Sequence, residues 1–424
     1  MKEPVAGRLD VLDVLEVNGR GYGRPRRPVV VVCIDGSEPA YHERAVADGR
    51  MPFLERMLEH GSDLRADCTM PSFTNPNNLS IATGTPPSVH GICGNYFYDT
   101  ASGTEVMMND PALLRVPTLF AAFSAAGAKV AVITAKDKLR RLLGRDLVDG
   151  MCFSAEKADQ VTEEENGISK VLERVGMELP SVYSAGLSEL VMAAGTDVLE
   201  QERPDLMYLS LTDYIQHKHA PGSSVANDFY AMLDGYFERI DALGAVLVVT
   251  ADHGMNAKSD AGGDARVVFL QDVLDARLGE GTARVVLPIT DPYTVHHGAL
   301  GSYATVHLPA ATDVAPLVAA LTTLDGVDTV LTRAQACERF ELPPDRIGDI
   351  VVIAERNTAL GTTPARHDIS GFEEPLRSHG GLTEQRVPFL VNAPTGPLPE
   401  GHRLRNFDAY WVGTALAADR PLTT

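Results

Sequence analysis

Four short apolar runs in this chain end abruptly in polar residues, and the same transition repeats after each. Pro28-Val-Val-Val-Val-Cys-Ile leads into Asp35-Gly36, and Lys129-Val-Ala-Val-Ile133 leads into Thr134-Ala-Lys136-Asp-Lys138. Pro204-Asp-Leu-Met-Tyr-Leu-Ser-Leu leads into Thr212-Asp213, and Ala245-Val-Leu-Val-Val249 into Thr250-Ala-Asp252-His253-Gly254. Unbroken apolar runs of this length predict parallel strands buried on both faces. Helical periodicity fills the gaps. Phe53, Leu54, Met57 and Leu58 share one face of a helix that stops at Gly61, and residues 118–127, 185–202 and 224–240 continue the pattern. The polar loop from Met70 feeds a short helix ending at Gly84, which puts Thr74 near a helix N-terminus. Residues 18–27, rich in Gly and Arg, read as a flexible or surface-bound lead-in loop, and 84–98 as an ordered loop. Alternating strands and helices with polar strand ends predict an α/β fold: a largely parallel central sheet flanked by helices, with its site at the carboxyl edge.

Beyond His253 the pattern changes. Runs such as Arg266-Val-Val-Phe-Leu270, Ala283-Arg-Val-Val-Leu287, Tyr303-Ala-Thr-Val-His307 and Asp349-Ile-Val-Val-Ile-Ala354 are strand-like, and 314–323 is helical. This predicts a smaller α+β cap over 256–370, inserted into a core made of 1–255 and 371–424, with Val387-Pro-Phe-Leu-Val391 rejoining the core sheet. The polar loop from Asp291 to Gly298 is expected either to approach substrate or to be a plain hairpin connection.

Length allows two or three average domains or one large core with an insertion. Asp+Glu 57 against Lys+Arg 37 gives a formal charge of -20, which repels phosphate backbones and argues against a nucleic-acid partner. A small anionic substrate stays possible, because a metal and a few lysines can reverse the potential inside one cleft. The five cysteines are widely separated and form no C-x-x-C pair, as expected of a reduced cytoplasmic protein. No segment approaches about 18 uninterrupted apolar residues and the N-terminus has no signal-like run, so no membrane association or export is expected. A homodimer is left open.

The polar strand ends carry the candidate chemistry. Asp252 and His253 side by side suit a divalent cation, although a strand-end turn capped by Asp252 would look the same. Asp35 before Gly36 has the same two readings. Asp213 and His217, four residues apart, meet on one turn of helix, which is a metal-ligand spacing. His379 precedes two glycines, which let the backbone bend closely around a metal. Thr74 is either an N-cap or a hydroxyl activated by the helix terminus. Lys136 and Lys138 read as an anion site or a solvated face, His90 as structural, and His219 as surface or an outer residue.

Together, Asp35, Thr74, Asp213-x-x-x-His217, Asp252-His253 and His379-Gly-Gly in one chain order resemble the alkaline phosphatase superfamily, in particular its nucleotide pyrophosphatase/phosphodiesterase branch. The Thr134-Ala-Lys136-Asp-Lys138 segment narrows the resemblance to members of that branch that hydrolyse phosphonoacetate. The resemblance implies an alkaline-phosphatase-like core and two zinc ions per chain. Asp213, His217 and His379 would hold one, and Asp35, Asp252, His253 and the Thr74 oxygen the other. It further implies that Thr74 is the nucleophile and forms a phosphothreonine intermediate, and that Asn95 donates to a phosphoryl oxygen. Lys136 and Lys138 are the candidates to stabilise the substrate carboxylate while the carbon–phosphorus bond breaks. Two other readings use the same residues: a phosphodiesterase or nucleotide pyrophosphatase, and a non-catalytic metal- or phosphonate-binding protein.

Overall fold

The computed structural model describes residues 14–290, 300–367 and 375–422. Its central sheet has seven strands in the spatial order Ser62–Asp67, Arg386–Val391, Val246–Thr250, Val29–Cys33, Leu206–Ser210, Val130–Thr134 and Met151–Ser154. The last five are mutually parallel, and Arg386–Val391 runs against both of its neighbours. The sheet is thus mixed and mostly parallel, as the apolar runs predict.

Burial on both faces explains why these runs show no alternation. Val29, Val31, Val246 and Val248 enter one hydrophobic cluster, while Val30, Val32, Leu247 and Val249 enter another on the opposite face. The second face is covered by Pro39–Ala47, Pro52–Leu58, Gly186–Glu202 and Ser224–Ala242. Ala409–Ala417 packs on the first, beside Val29–Cys33 and Val246–Thr250.

Pairing register positions the site. Cys33 lies opposite both Thr250 and Ser210, and Thr134 opposite Ser210. Four strands therefore end at one level, and the polar residues that follow them converge on one edge.

After Thr250 the chain leaves this sheet and returns at Arg386. Exit and return are bridged by a two-residue ladder, Asn256–Ala257 against Arg377–Ser378. Between them lies an antiparallel four-strand sheet in the order Arg284–Val286, Tyr303–His307, Ile350–Ala354, Val327–Thr332, with the helices Ala315–Thr322 and Arg333–Phe340. Val267–Phe269 pairs with Ala359–Gly361 in parallel. The loop from Asp291 to Gly298 lies outside the described residues. Among the described residues no helix is long and apolar enough to cross a membrane.

The lead-in segment differs from expectation. Val14–Val17 and Arg20–Gly23 form a hairpin around Asn18-Gly19, both with positive φ (52° and 82°), which is the two-residue turn that Asn-Gly favours. It is no loose loop: Tyr22 is fully buried, and Arg20 pairs with Asp408 at 2.6 Å while stacking on Trp411. The strand Ser62–Asp67 and the hairpin Tyr96–Asp99/Thr104–Met107 also escaped the pattern, because neither has a long apolar run.

Candidate active site

Asp35, Asp213, Asp252, His217, His253 and His379 are all buried and meet at the carboxyl edge of the sheet. Asp213 stands at the cap of the short helix Tyr214–Lys218, which brings His217 Nε2 to 2.9 Å from Asp213 Oδ2. His253 Nε2 lies 3.2 Å from Asp35 Oδ1 and 3.7 Å from Asp252 Oδ2. His379 comes from the returning chain, and its ring stacks on that of His253 with centroids 3.6 Å apart. Asp213, His217 and His379 form one group able to hold a metal, and Asp35, Asp213 and His253 a second.

Thr74 is the first residue of the helix Thr74–Thr83, with Phe73 at the cap position. Its Oγ1 is 3.3 Å from His253 Nε2, so the hydroxyl faces the cluster and does not cap the helix. Lys136 Nζ lies 3.5 Å from Asp213 Oδ1. Lys138 is exposed at the second position of the helix Asp137–Leu143. Asn95 is buried, but its amide donates to the Thr290 carbonyl (3.2 Å) and hydroxyl (3.1 Å), not to a member of the cluster. His90 bonds to Ser80 Oγ and accepts from the Ile92 N–H, a structural role.

The protonation pattern of the rings shows what the cluster is built to hold. Nδ1 of His217, His253 and His379 faces the backbone carbonyls of Arg377 (3.1 Å), Gly254 (2.9 Å) and Ser72 (2.8 Å). A carbonyl only accepts, so each Nδ1 carries a hydrogen, and in the neutral ring each Nε2 presents its lone pair to the cluster. Two of those Nε2 atoms face carboxylate oxygens, an arrangement that either a proton on Nε2 or a cation between the two atoms satisfies. Ligand atoms about 2.1 Å from a tetrahedral zinc lie about 3.4 Å apart, and the separations of 2.9, 3.2 and 3.7 Å bracket that value. Asp35 Oδ1 is buried and accepts no hydrogen bond.

Electrostatics point the same way. Burial, then the charges of Asp213 and Asp252, push Asp35 well above the carboxylate range. Burial and Asp213 push Asp252 up to about 7. Burial would raise Asp213 too, but Lys136 and His217 more than offset it and hold it low. Burial and the neighbouring rings drive His379 far down, leaving it neutral. Three carboxylates this close need a counter-charge to stay ionised together, and the donor set fits a divalent metal.

Sequence reading missed the residues that hold these ligands. Asn78 donates to Asp252 Oδ2 at 3.0 Å and to the Thr74 carbonyl at 3.0 Å, and its own oxygen accepts from Tyr208 and Ser210. It sits one helical turn after Thr74, a spacing that could have flagged it. Arg377 is locked to the carbonyls of Gln216 and Met255, and only its nearness to His379 hinted at this.

A mostly parallel sheet that gathers buried Asp and His ligands at its carboxyl edge, with a threonine hydroxyl among them, defines a metal-dependent hydrolase of the alkaline phosphatase type. The model of the type I phosphodiesterase / nucleotide pyrophosphatase family matches residues 29–381, and the chain belongs to that family. Within it the likeness is narrow. Phosphonoacetate hydrolase from Sinorhizobium meliloti, solved with phosphonoformate, is 56% identical and aligns over 96% of this chain and 99% of its own, with a TM-score of 0.93. The same enzyme with phosphonoacetate gives a TM-score of 0.92. Murine ectonucleotide pyrophosphatase / phosphodiesterase 5 shares the fold at 17% identity, a TM-score of 0.63 and coverage of 94% and 96%. An uncharacterized pyrophosphatase/phosphodiesterase of Schizosaccharomyces pombe is 32% identical over 90 residues, 21% of this chain but 18% of that protein's length.

Proposed function

We propose that this chain hydrolyses the carbon–phosphorus bond of phosphonoacetate to acetate and phosphate. The observation that carries this reading is the Thr74 hydroxyl, at the head of its helix and 3.3 Å from His253 Nε2, inside a ligand cluster of a chain 56% identical to an enzyme solved with phosphonoacetate. Asp213, His217 and His379 would hold one zinc, and Asp35, Asp252, His253 and Thr74 Oγ1 the other. Two zinc ions there would supply Lewis acidity toward the phosphoryl oxygens and lower the pKa of a hydroxyl or water to about 7.

Thr74 Oγ1 gives up its proton to solvent, which returns one to the departing carbon, and bonds to phosphorus as the P–C bond breaks. The bonding pair passes to the methylene carbon and spreads into the adjacent carboxylate as an enediolate, which takes a proton and leaves as acetate. Lys136, beside Asp213, would neutralise that carboxylate, and Lys138 would assist it. Water then attacks the phosphothreonine, the bond from phosphorus to Thr74 Oγ1 breaks, and phosphate leaves with Thr74 restored. Asn95 would donate to a phosphoryl oxygen by exchanging its bonds to Thr290 for one to the substrate.

The test is to assay acetate and phosphate from phosphonoacetate with and without a chelator, then after adding zinc back. Equal amounts of both products, lost on chelation and restored by zinc, are expected. Cleavage of phosphate esters without any acetate release would favour the phosphodiesterase reading. No turnover of either substrate by the zinc-loaded protein would make it a binding protein.

A further inference from the structure

The turns that carry His253 and His379 come from distant parts of the chain, and one residue outside the ligand set holds both. The main-chain carbonyl of Glu384 accepts the Gly254 N–H at 2.7 Å, directly after His253. Its Oε2 accepts the Gly381 N–H at 2.9 Å, two residues after His379. Asn256, paired with Ser378 in the ladder between the two turns, donates to Glu384 Oε1 at 2.6 Å, as does Thr383 at 2.6 Å. The approach is close. A Cβ on Gly381 would stand 3.1 Å from Glu384 Oε2 and 2.9 Å from Ser302 Cβ.

The remaining partner is Lys258, whose Nζ donates to Glu384 Oε1 at 2.8 Å and to the Arg356 carbonyl at 2.7 Å. Both side chains of this ion pair are fully buried. Burial alone would raise the Glu384 carboxyl, but Lys258, Thr383 and Asn256 outweigh it and keep the group ionised. A buried pair of this kind is no more stabilising than apolar residues of the same volume. Its geometry shows what it is for: a carboxylate, anchored from behind, that holds the His379 turn through Gly381 and the segment after His253 through Asn256, on a residue whose main-chain carbonyl also holds Gly254.

We propose that Glu384, anchored by Lys258, is a positioning residue that fixes the spacing of the His253 and His379 turns and so couples the affinities of the two metal positions. The inference rests on the bimetallic reading of the cluster, not on the identity of the substrate. It is tested by titrating metal-free protein with zinc against a chromophoric chelator and by recording the visible spectrum after cobalt(II) substitution. Wild type should take up two metals. Glu384→Gln should weaken both positions by about 10–100-fold, the usual effect of losing an outer-shell partner, and alter the cobalt spectrum. Glu384→Asp keeps the charge facing Lys258 but is too short to reach Gly381 as well. It should stay folded by circular dichroism and weaken both positions by a smaller factor, and it decides the matter if Glu384→Gln does not fold. A folded variant with both affinities and the cobalt spectrum unchanged, or with weakening confined to one position, overturns the coupling. Failure of wild type to take up zinc or cobalt overturns the bimetallic reading and the inference with it.

Discussion

Lys136→Met separates substrate chemistry from metal binding, because Lys136 lies beside Asp213 and is the proposed partner of the substrate carboxylate. Its Nζ is 3.5 Å from Asp213 Oδ1, and its side chain is 31% exposed, so it stands at the boundary between protein and solvent. For a charge about 4 Å away at an effective dielectric of about 20, the interaction is about 4 kcal/mol, and partial exposure reduces it to about 3 kcal/mol. At 1.36 kcal/mol per decade, removing the ammonium should slow phosphonoacetate cleavage by about 10²-fold. Methionine preserves the aliphatic stem, so packing loss is small. p-Nitrophenyl phosphate is the control, since its phenolate leaves without a carboxylate to neutralise, and its turnover should fall by less than about 10-fold. Lys138→Met, at an exposed position, should have a smaller effect than Lys136→Met. Lys136 also helps keep Asp213 ionised, so zinc content must be measured alongside rates. Equal losses on both substrates at full zinc loading would refute a role on the substrate carboxylate.

Thr74→Ala should abolish phosphate release while retaining about two zincs per chain by metal analysis; normal turnover would end the nucleophile assignment. Gly380 has φ +117°, and a Cβ there would stand 2.4 Å from Phe73 Cε1. Gly380→Ala should therefore lower stability by about 1–3 kcal/mol and slow turnover through the neighbouring Thr74, and an unchanged melting temperature would show that the ring simply yields. His42 is buried between Pro39–Ala47 and Ser62–Asp67, with neither ring nitrogen hydrogen-bonded, and burial and Arg65 lower its pKa from 6.5 to about 4. Its neutral form is the folded one, so its contribution is present above pH 6.5 and is lost as pH falls toward 4. Between pH 7 and pH 5 the loss is about 2 kcal/mol. Urea midpoints should show a steeper acid decline for wild type than for His42→Gln, and parallel declines would rule His42 out.

The candidate ligands that the structure brings together were legible because each lies at the end of an apolar run or at a fixed local spacing. Asp35, Asp213, Asp252 and His253 end strands whose burial on both faces leaves an unbroken signature, and His217 follows Asp213 by one helical turn. His379 was legible only through its two glycines. What holds the ligands was not legible, because it depends on contacts between distant segments. Nothing near Glu384 announces that its carboxylate reaches Gly381 while its carbonyl meets Gly254, and nothing near Lys258 announces a buried ammonium. The lead-in hairpin was a different failure: Asn18-Gly19 is a strong turn signal, and the surrounding Gly and Arg residues masked it. Lys136 and Lys138 look equivalent in sequence, yet the strand end and the helix that follows leave one beside Asp213 and the other exposed.

The charge balance of the site gives these details a common logic. The whole chain carries a formal net charge of -20, and phosphonoacetate is itself an anion, so substrate is attracted only if the cleft reverses the sign. Three carboxylates against Lys136 leave the cluster at about minus two, and two divalent cations would bring it to about plus two. Affinity for substrate, and not only the rate of its cleavage, would then depend on how firmly the ligand turns hold metal. A buried carboxylate near the site would work against that balance unless its charge were cancelled. Lys258 cancels the charge of Glu384, so its carboxylate can tie the His379 turn by an ionic hydrogen bond to Gly381, while its main-chain carbonyl holds Gly254 and the net charge presented to the substrate is unaltered.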